Sequence, residues 1–78
     1  MWFVYVLRSE RDGELYTGST CDLKRRLNQH KIGSVPSTRE RRPLKLVYYE
    51  AGLSQMKARK REMYLKSSWG KRYLKSRI

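Results

Sequence analysis

The sequence predicts an α+β domain: a small three-stranded antiparallel sheet flanked by helices, in the order β-β-α-β-α-α. Three observations predict it. Two aromatic and β-branched runs flank an Asp12-Gly13 pair, a sequence pattern for a hairpin turn. Two later stretches carry apolar residues at helical spacing behind capping residues. A third strand-like run, Leu44 to Glu50, lies between those stretches. The chain of 78 residues is read as one domain over 1–78. A domain of that size buries only about 60% of its unfolded surface, so a thin core is expected.

Residues 2–9 read as the first strand and 14–19 as its hairpin partner. With no bulge at the turn, residue 9 opposes 16 and residue 5 opposes 20. Side chains alternate faces with period two, so Tyr5 and Tyr16 project from the same face. Gly18 beside them lets backbone or a ligand approach closely. Asp22 or Thr20 caps a first helix, on which Leu23, Arg26, Leu27 and His30 fall along one stripe. Gly33 is its expected C-cap. Residues 33–43 form a loop holding both prolines and three arginines. Leu44 to Glu50 is the third strand. Ser54 caps a second helix over 55–67, with Ala58, Glu62, Leu65 and Trp69 in line. Glu62 therefore sits on the apolar stripe, where a carboxylate needs a partner, and Lys66 one turn on can supply it. A short last helix carries Tyr73, Leu74 and Ile78 inward. Trp2 and Trp69 are assigned to packing.

The net charge is +12, which makes nucleic acid the default partner. The charge is uneven. From Lys57 to the end, nine Lys and Arg residues face one acid, Glu62. That carboxylate is either a neutralising ion pair or a metal ligand. One cysteine, Cys21, has no partner in the chain and fits a reducing compartment. No apolar run approaches the roughly 20 residues of a membrane span, and no signal peptide is read. A cytoplasmic protein with no membrane association is expected.

A structural zinc site is excluded by the lack of a Cys/His cluster, and no phosphate-loop or dinucleotide glycine motif occurs. The remaining set suits phosphodiester chemistry. A tyrosine with a nearby base can activate a nucleophile, an arginine can stabilise phosphate charge, and a carboxylate can hold Mg²⁺. Tyr5, Tyr16, Arg26, His30 and Glu62 supply these parts. Hydroxyls and guanidinium groups in the 33–43 loop suit a phosphate backbone.

The ordered series resembles the GIY-YIG nuclease family over nearly the whole chain. Val4-Tyr5-Val6 and Tyr16-Thr17-Gly18 stand at the two signature tripeptides. Asp22-Leu23-Lys24-Arg25-Arg26-Leu27, His30, Thr38, Arg41-Arg42-Pro43, Leu46 to Glu50 and Ala58…Glu62…Lys66 continue the match. The likeness is to the small stand-alone bacterial branch (UPF0213-like), which consists of little beyond this domain. The resemblance implies a metal-dependent DNA endonuclease. It implies Tyr5, Tyr16, Arg26 and His30 as catalytic residues and Glu62 as the ligand of Mg²⁺ or Mn²⁺. The expected nucleic-acid contacts are Gly18, Ser37, Thr38, Arg39, Arg41, Arg42 and Lys66. Two departures stand out. The tripeptides keep only the tyrosines and the second glycine. Many family nucleases carry an asparagine after the glutamate, whereas here the only asparagine is Asn28. A non-catalytic nucleic-acid-binding module is the alternative, with binding to RNA or an acidic protein a third reading. A monomer or weak dimer is expected.

Overall fold

A computed structural model describes residues 1–78. β1 (Trp2–Ser9) and β2 (Leu15–Thr20) precede α1 (Leu23–Ile32); a 3-10 turn (Arg39–Arg41) leads to β3 (Leu44–Leu53), α2 (Gln55–Lys66) and α3 (Ser68–Lys75). The three strands form one antiparallel sheet in the order β2-β1-β3, so the α+β arrangement and the element order follow the sequence reading. β1 is central, and the outer edges of β2 and β3 are free.

The hairpin register differs from expectation by two residues. Tyr5 opposes Gly18 and Leu7 opposes Tyr16. The reason is a wider turn. Ser9 N–H donates to Glu14 O at 2.9 Å, and Ser9 Oγ accepts from the N–H groups of Arg11 (3.1 Å) and Asp12 (3.2 Å). Gly13 then takes φ of 75°. The slide is even, so every side chain keeps its expected face.

Alternation along β1 divides the sheet into two faces. Val4 and Val6 point to one, where they form the buried core with Ala58 and Leu65 of α2 and Leu74 of α3. Trp2, Leu15, Val47 and Tyr73 pack around them. Tyr5 and Leu7 point to the other face, beneath α1. A polar box closes the first face. Glu50 accepts from Arg61 Nε at 2.9 and 3.0 Å and from Nη2 at 2.9 Å, while Tyr48 Oη donates to Glu50 Oε2 at 2.5 Å. The Arg61 guanidinium lies between the rings of Tyr64 and Tyr73, 5.1 and 4.9 Å from their centroids. β3, α2 and α3 are thereby tied together.

Capping follows the sequence. Asp22 Oδ1 accepts from Arg25 N–H at 3.1 Å, Ser54 Oγ from Lys57 N–H at 3.2 Å, and Gly33 closes α1 in the left-handed conformation. β3 runs three residues past its expected end, to Leu53. The second helix stops at Lys66, because Ser67 leaves helical geometry and caps α3 instead, accepting from Gly70 N–H at 3.2 Å. This break corrects the placement of Trp69. Its ring is 68% exposed, since the α2 stripe does not continue across Ser67, and Gly70 and Leu74 turn inward in its place. Trp2 does pack on the core as expected.

Gly70 lies directly on the end of α2. A Cβ there would collide with Tyr64 O and Leu65 Cα, both backbone atoms that cannot yield cheaply. Gly70→Ala should therefore destabilise the fold by about 2–3 kcal/mol. Thermal denaturation followed by circular dichroism should show Tm falling by roughly 10–20 °C. An unchanged Tm would mean that the α2–α3 junction is looser than this packing.

Candidate active site

The second sheet face carries a buried polar chain. Tyr5 is 1% exposed, held between Gly18 and Tyr49 on the neighbouring strands. Its Oη lies 2.9 Å from His30 Nε2 on α1, and Arg26 Nε, one turn earlier on α1, donates to the same oxygen at 3.4 Å. His30 Nδ1 lies 2.7 Å from Thr38 Oγ1. Pairing the Tyr5 hydroxyl proton assigns the tautomer: Tyr5 O–H donates to Nε2, and Nδ1–H donates to Thr38. Tyr16 completes the cluster, its ring centroid 6.4 Å from Tyr5 and 5.2 Å from His30. Arg26 Nη1 also donates to Gln29 Oε1 at 3.0 Å, which holds the guanidinium in place.

Burial dominates the electrostatics of this chain. It pushes the Tyr5 phenol above its ordinary value, against the Arg26 hydrogen bond, and nearby Tyr16 and Glu62 add to the rise. Tyr5 is therefore a neutral phenol at neutral pH. Burial, then the Arg26 charge, lowers His30 to about 4, so the imidazole is neutral and free to accept a proton. The Tyr5 hydrogen bond raises Arg26 further above neutrality, which keeps it a cation.

Glu62 approaches from the opposite side of β2. Ser19 alternates with Gly18 and faces α2, where its Oγ donates to Glu62 Oε1 at 2.7 Å. Lys66 Nζ donates to Oε2 at 2.8 Å, the partner that the helical spacing anticipated. Burial works to raise the Glu62 carboxyl, but the Lys66 and Ser19 hydrogen bonds and the Arg59 charge overcome it and hold it below the usual carboxylate range. The edge strand β2 thus runs between the tyrosine–histidine cluster and an ionised carboxylate. A single carboxylate is a donor set suited to Mg²⁺, which keeps several waters and takes its remaining ligands from a phosphate substrate. Glu62 alone would have to hold that group, since no cluster of three or more His, Cys, Asp or Glu residues converges there or elsewhere.

Five of the expected nucleic-acid contacts, Gly18, Thr38, Arg39, Arg41 and Arg42, make contacts within the protein. Gly18 does not leave space for a ligand: a Cβ there would lie 2.5 Å from Tyr5 Oη, so the glycine makes room for the phenol. Thr38 is fully buried and orients His30, which removes it from any phosphate. Arg41 pairs with Asp12 at 3.4 Å and fastens the loop to the hairpin, with Ser9 Oγ donating to Arg41 O at 2.7 Å. Arg39 Nε donates to Gly33 O at 2.8 Å and Arg42 Nε to Arg39 O at 2.9 Å. The Nε of each of these arginines helps to shape the loop, while Arg39, Arg42 and Ser37 are exposed. Ser19 and Gln29 were not singled out from the sequence. Alternation from Gly18 places Ser19 towards α2, a signal that could have found it; Gln29 carries no comparable signal.

If the ring is held as described, His30 should titrate near pH 4 in an NMR pH series. The unfolded histidine takes up its proton near 6.5 and the folded one near 4, so the unfolded state binds more protons between those values. Stability should fall as pH drops through that window, by up to about 3 kcal/mol from this ring. A midpoint near 6.5 would show a solvated imidazole.

The likeness to known proteins agrees with this geometry. Residues 1–74 match the GIY-YIG catalytic domain. A UPF0213 protein of Streptococcus agalactiae, SAG0778, is 48% identical over 65 residues, covering 82% of this chain and 73% of that protein. A UPF0213 protein of Clostridium perfringens, CPE1444, is 42% identical over 67 residues, covering 85% and 71%. The solution NMR structure of the UPF0213 protein BH0048 from Bacillus halodurans superimposes with a TM-score of 0.59 at 38% identity, covering 97% of this chain and 84% of that one. With its signature tyrosines on one face of a single hairpin and a nuclease-type fold around them, this chain belongs to the GIY-YIG family, among its small UPF0213 members.

Proposed function

We propose that residues 1–78 act as a single metal-dependent DNA endonuclease domain that hydrolyses phosphodiester bonds. The observation that carries this reading is the Tyr5–His30–Thr38 chain with Arg26 on the Tyr5 oxygen. A neutral phenol cannot itself take a proton from water, but a phenol bonded to a neutral imidazole can relay one. Water passes its proton to Tyr5 Oη while Tyr5 passes its own to His30 Nε2. Thr38 keeps Nδ1–H occupied, so Nε2 stays the acceptor. Arg26 faces the negative charge that builds on the phosphorus oxygens. Tyr16, on the open side of the cluster, positions the phosphate.

Mg²⁺ or Mn²⁺ held on Glu62 would neutralise phosphate and leaving-group charge as a Lewis acid. Ser19 orients Glu62 for that purpose. Lys66 holds the carboxylate ionised and is itself 55% exposed, so its ammonium can turn to a phosphate oxygen. Recognition in this reading is of backbone or structure, as suits DNA repair or processing. We place the protein in the cytoplasm, as a monomer or weak dimer. No helix is long and apolar enough to cross a membrane. One observation favours a non-catalytic binding module instead: Lys66 already neutralises Glu62.

Cleavage of labelled single-stranded, duplex and branched DNA tests the proposal, with Mg²⁺, Mn²⁺ or EDTA present. Metal-dependent nicking is expected. Tyr5→Phe should lower its rate by about 10²–10⁴-fold, the worth of general acid–base help, and Glu62→Gln should abolish it while DNA binding persists. Folded protein that binds every DNA and cuts none would establish the binding module.

A further inference from the structure

Three clefts are lined by residues of β2, the second and third adjoining. The first, about 310 Å³, is bounded by Ser19, Arg25, Arg26 and Arg59. The second, about 300 Å³, lies between Tyr16 and the Lys66 and Lys71 side chains. The third, about 430 Å³, shares Leu15 and Lys71 with the second and continues to Lys75. The middle cleft is where Tyr16 and Lys66, the partner of Glu62, come together. Lys71 and Lys75 are four residues apart on α3 and so share one face of that helix.

The state of these cations separates them from the arginines of the 37–42 loop. The side chains of Arg25, Arg59, Lys71 and Lys75 make no hydrogen bond or ion pair within the protein, whereas Arg39, Arg41 and Arg42 each hold the loop through their Nε. Two acids bound the row. Asp22 caps α1 at one end, and Glu14 lines the third cleft at the other. The six residues of β2 extend about 20 Å. The strand edge also offers unpaired backbone N–H groups, which suit phosphate oxygens.

We propose that one DNA strand lies along the outer edge of β2, with its phosphates on Arg25 and Arg59 before the cleavage site and on Lys71 and Lys75 beyond it. This assignment rests on the nuclease reading above and moves the backbone contact from the 37–42 loop to α3. The strand would pass Tyr16 and Glu62 in one continuous run.

The test is fluorescence anisotropy of a labelled duplex of about 20 base pairs across a salt series, in EDTA so that nothing is cut. Lys71→Gln/Lys75→Gln should reduce the salt slope by about 1.8 and weaken binding roughly 50-fold at 0.1 M salt. Lys24→Gln/Lys31→Gln removes the same charge from the exposed face of α1 and should cost less than about threefold. Melting curves confirm folding, as all four lysines are exposed. No effect from the α3 pair, or an equal effect from both pairs, would overturn the track. Parallel cleavage in Mg²⁺ keeps the two ideas apart. Wild type that binds through Lys71 and Lys75 yet cuts nothing refutes the nuclease alone. Cutting and binding unchanged in the α3 variant refute the track alone. A wild type that does not bind DNA overturns both.

Discussion

The hydrogen bond from Tyr5 to His30 is the constraint on which the site depends. It joins the central strand to α1, and through Thr38 it reaches the loop that precedes β3. Each partner is buried, so each would be costly to leave unpaired. The chain therefore specifies geometry as well as chemistry. Gly18 is needed because the phenol occupies the space over β2, and Arg26 is fixed because it donates to the same oxygen. Three segments share one hydrogen-bonded chain, and none can move without breaking it.

The apolar core and the buried polar chain are divided between the sheet's two faces. Val4 and Val6 build the apolar core with α2 and α3, while Tyr5 reaches the opposite face from the residue between them. The Glu50–Arg61 pair with Tyr48 and Tyr73 belongs to the core side, where it locks α3 against β3. α2 serves both roles. Ala58 and Leu65 enter the core, and Glu62, between them, reaches Ser19 at the edge of β2. A short helix can do this because its inward stripe is wide enough to hold both apolar and polar positions.

Much of this was legible in the sequence where the signal was local. Asp22, Gly33 and Ser54 cap as their side chains and φ preferences require. The shared face of Tyr5 and Tyr16 survived a misjudged turn, because face depends on parity and the register slid by two. The Glu62–Lys66 pair follows from four-residue spacing alone. What was not legible depends on contacts between distant segments. Nothing near Thr38 announces that its hydroxyl meets an imidazole eight residues earlier. The loop arginines read as phosphate contacts by composition, and composition does not disclose that Arg41 also meets Asp12 of the hairpin and Arg39 the end of α1. Trp69 was misplaced because Ser67 ends one helix and begins another, and a periodic pattern cannot register a change of axis.

The sheet ends in two bare edges, β2 and the ten-residue β3. Such edges are templates for pairing with another chain. Here the safeguard is colloidal: a molecule of charge +12 repels its own copies. A bound polyanion would cancel that repulsion and bring several copies within reach of one another. Solubility and ligand occupancy are then opposed, and the protein is best protected from self-association when its nucleic acid is in excess and its copies are far apart along the strand.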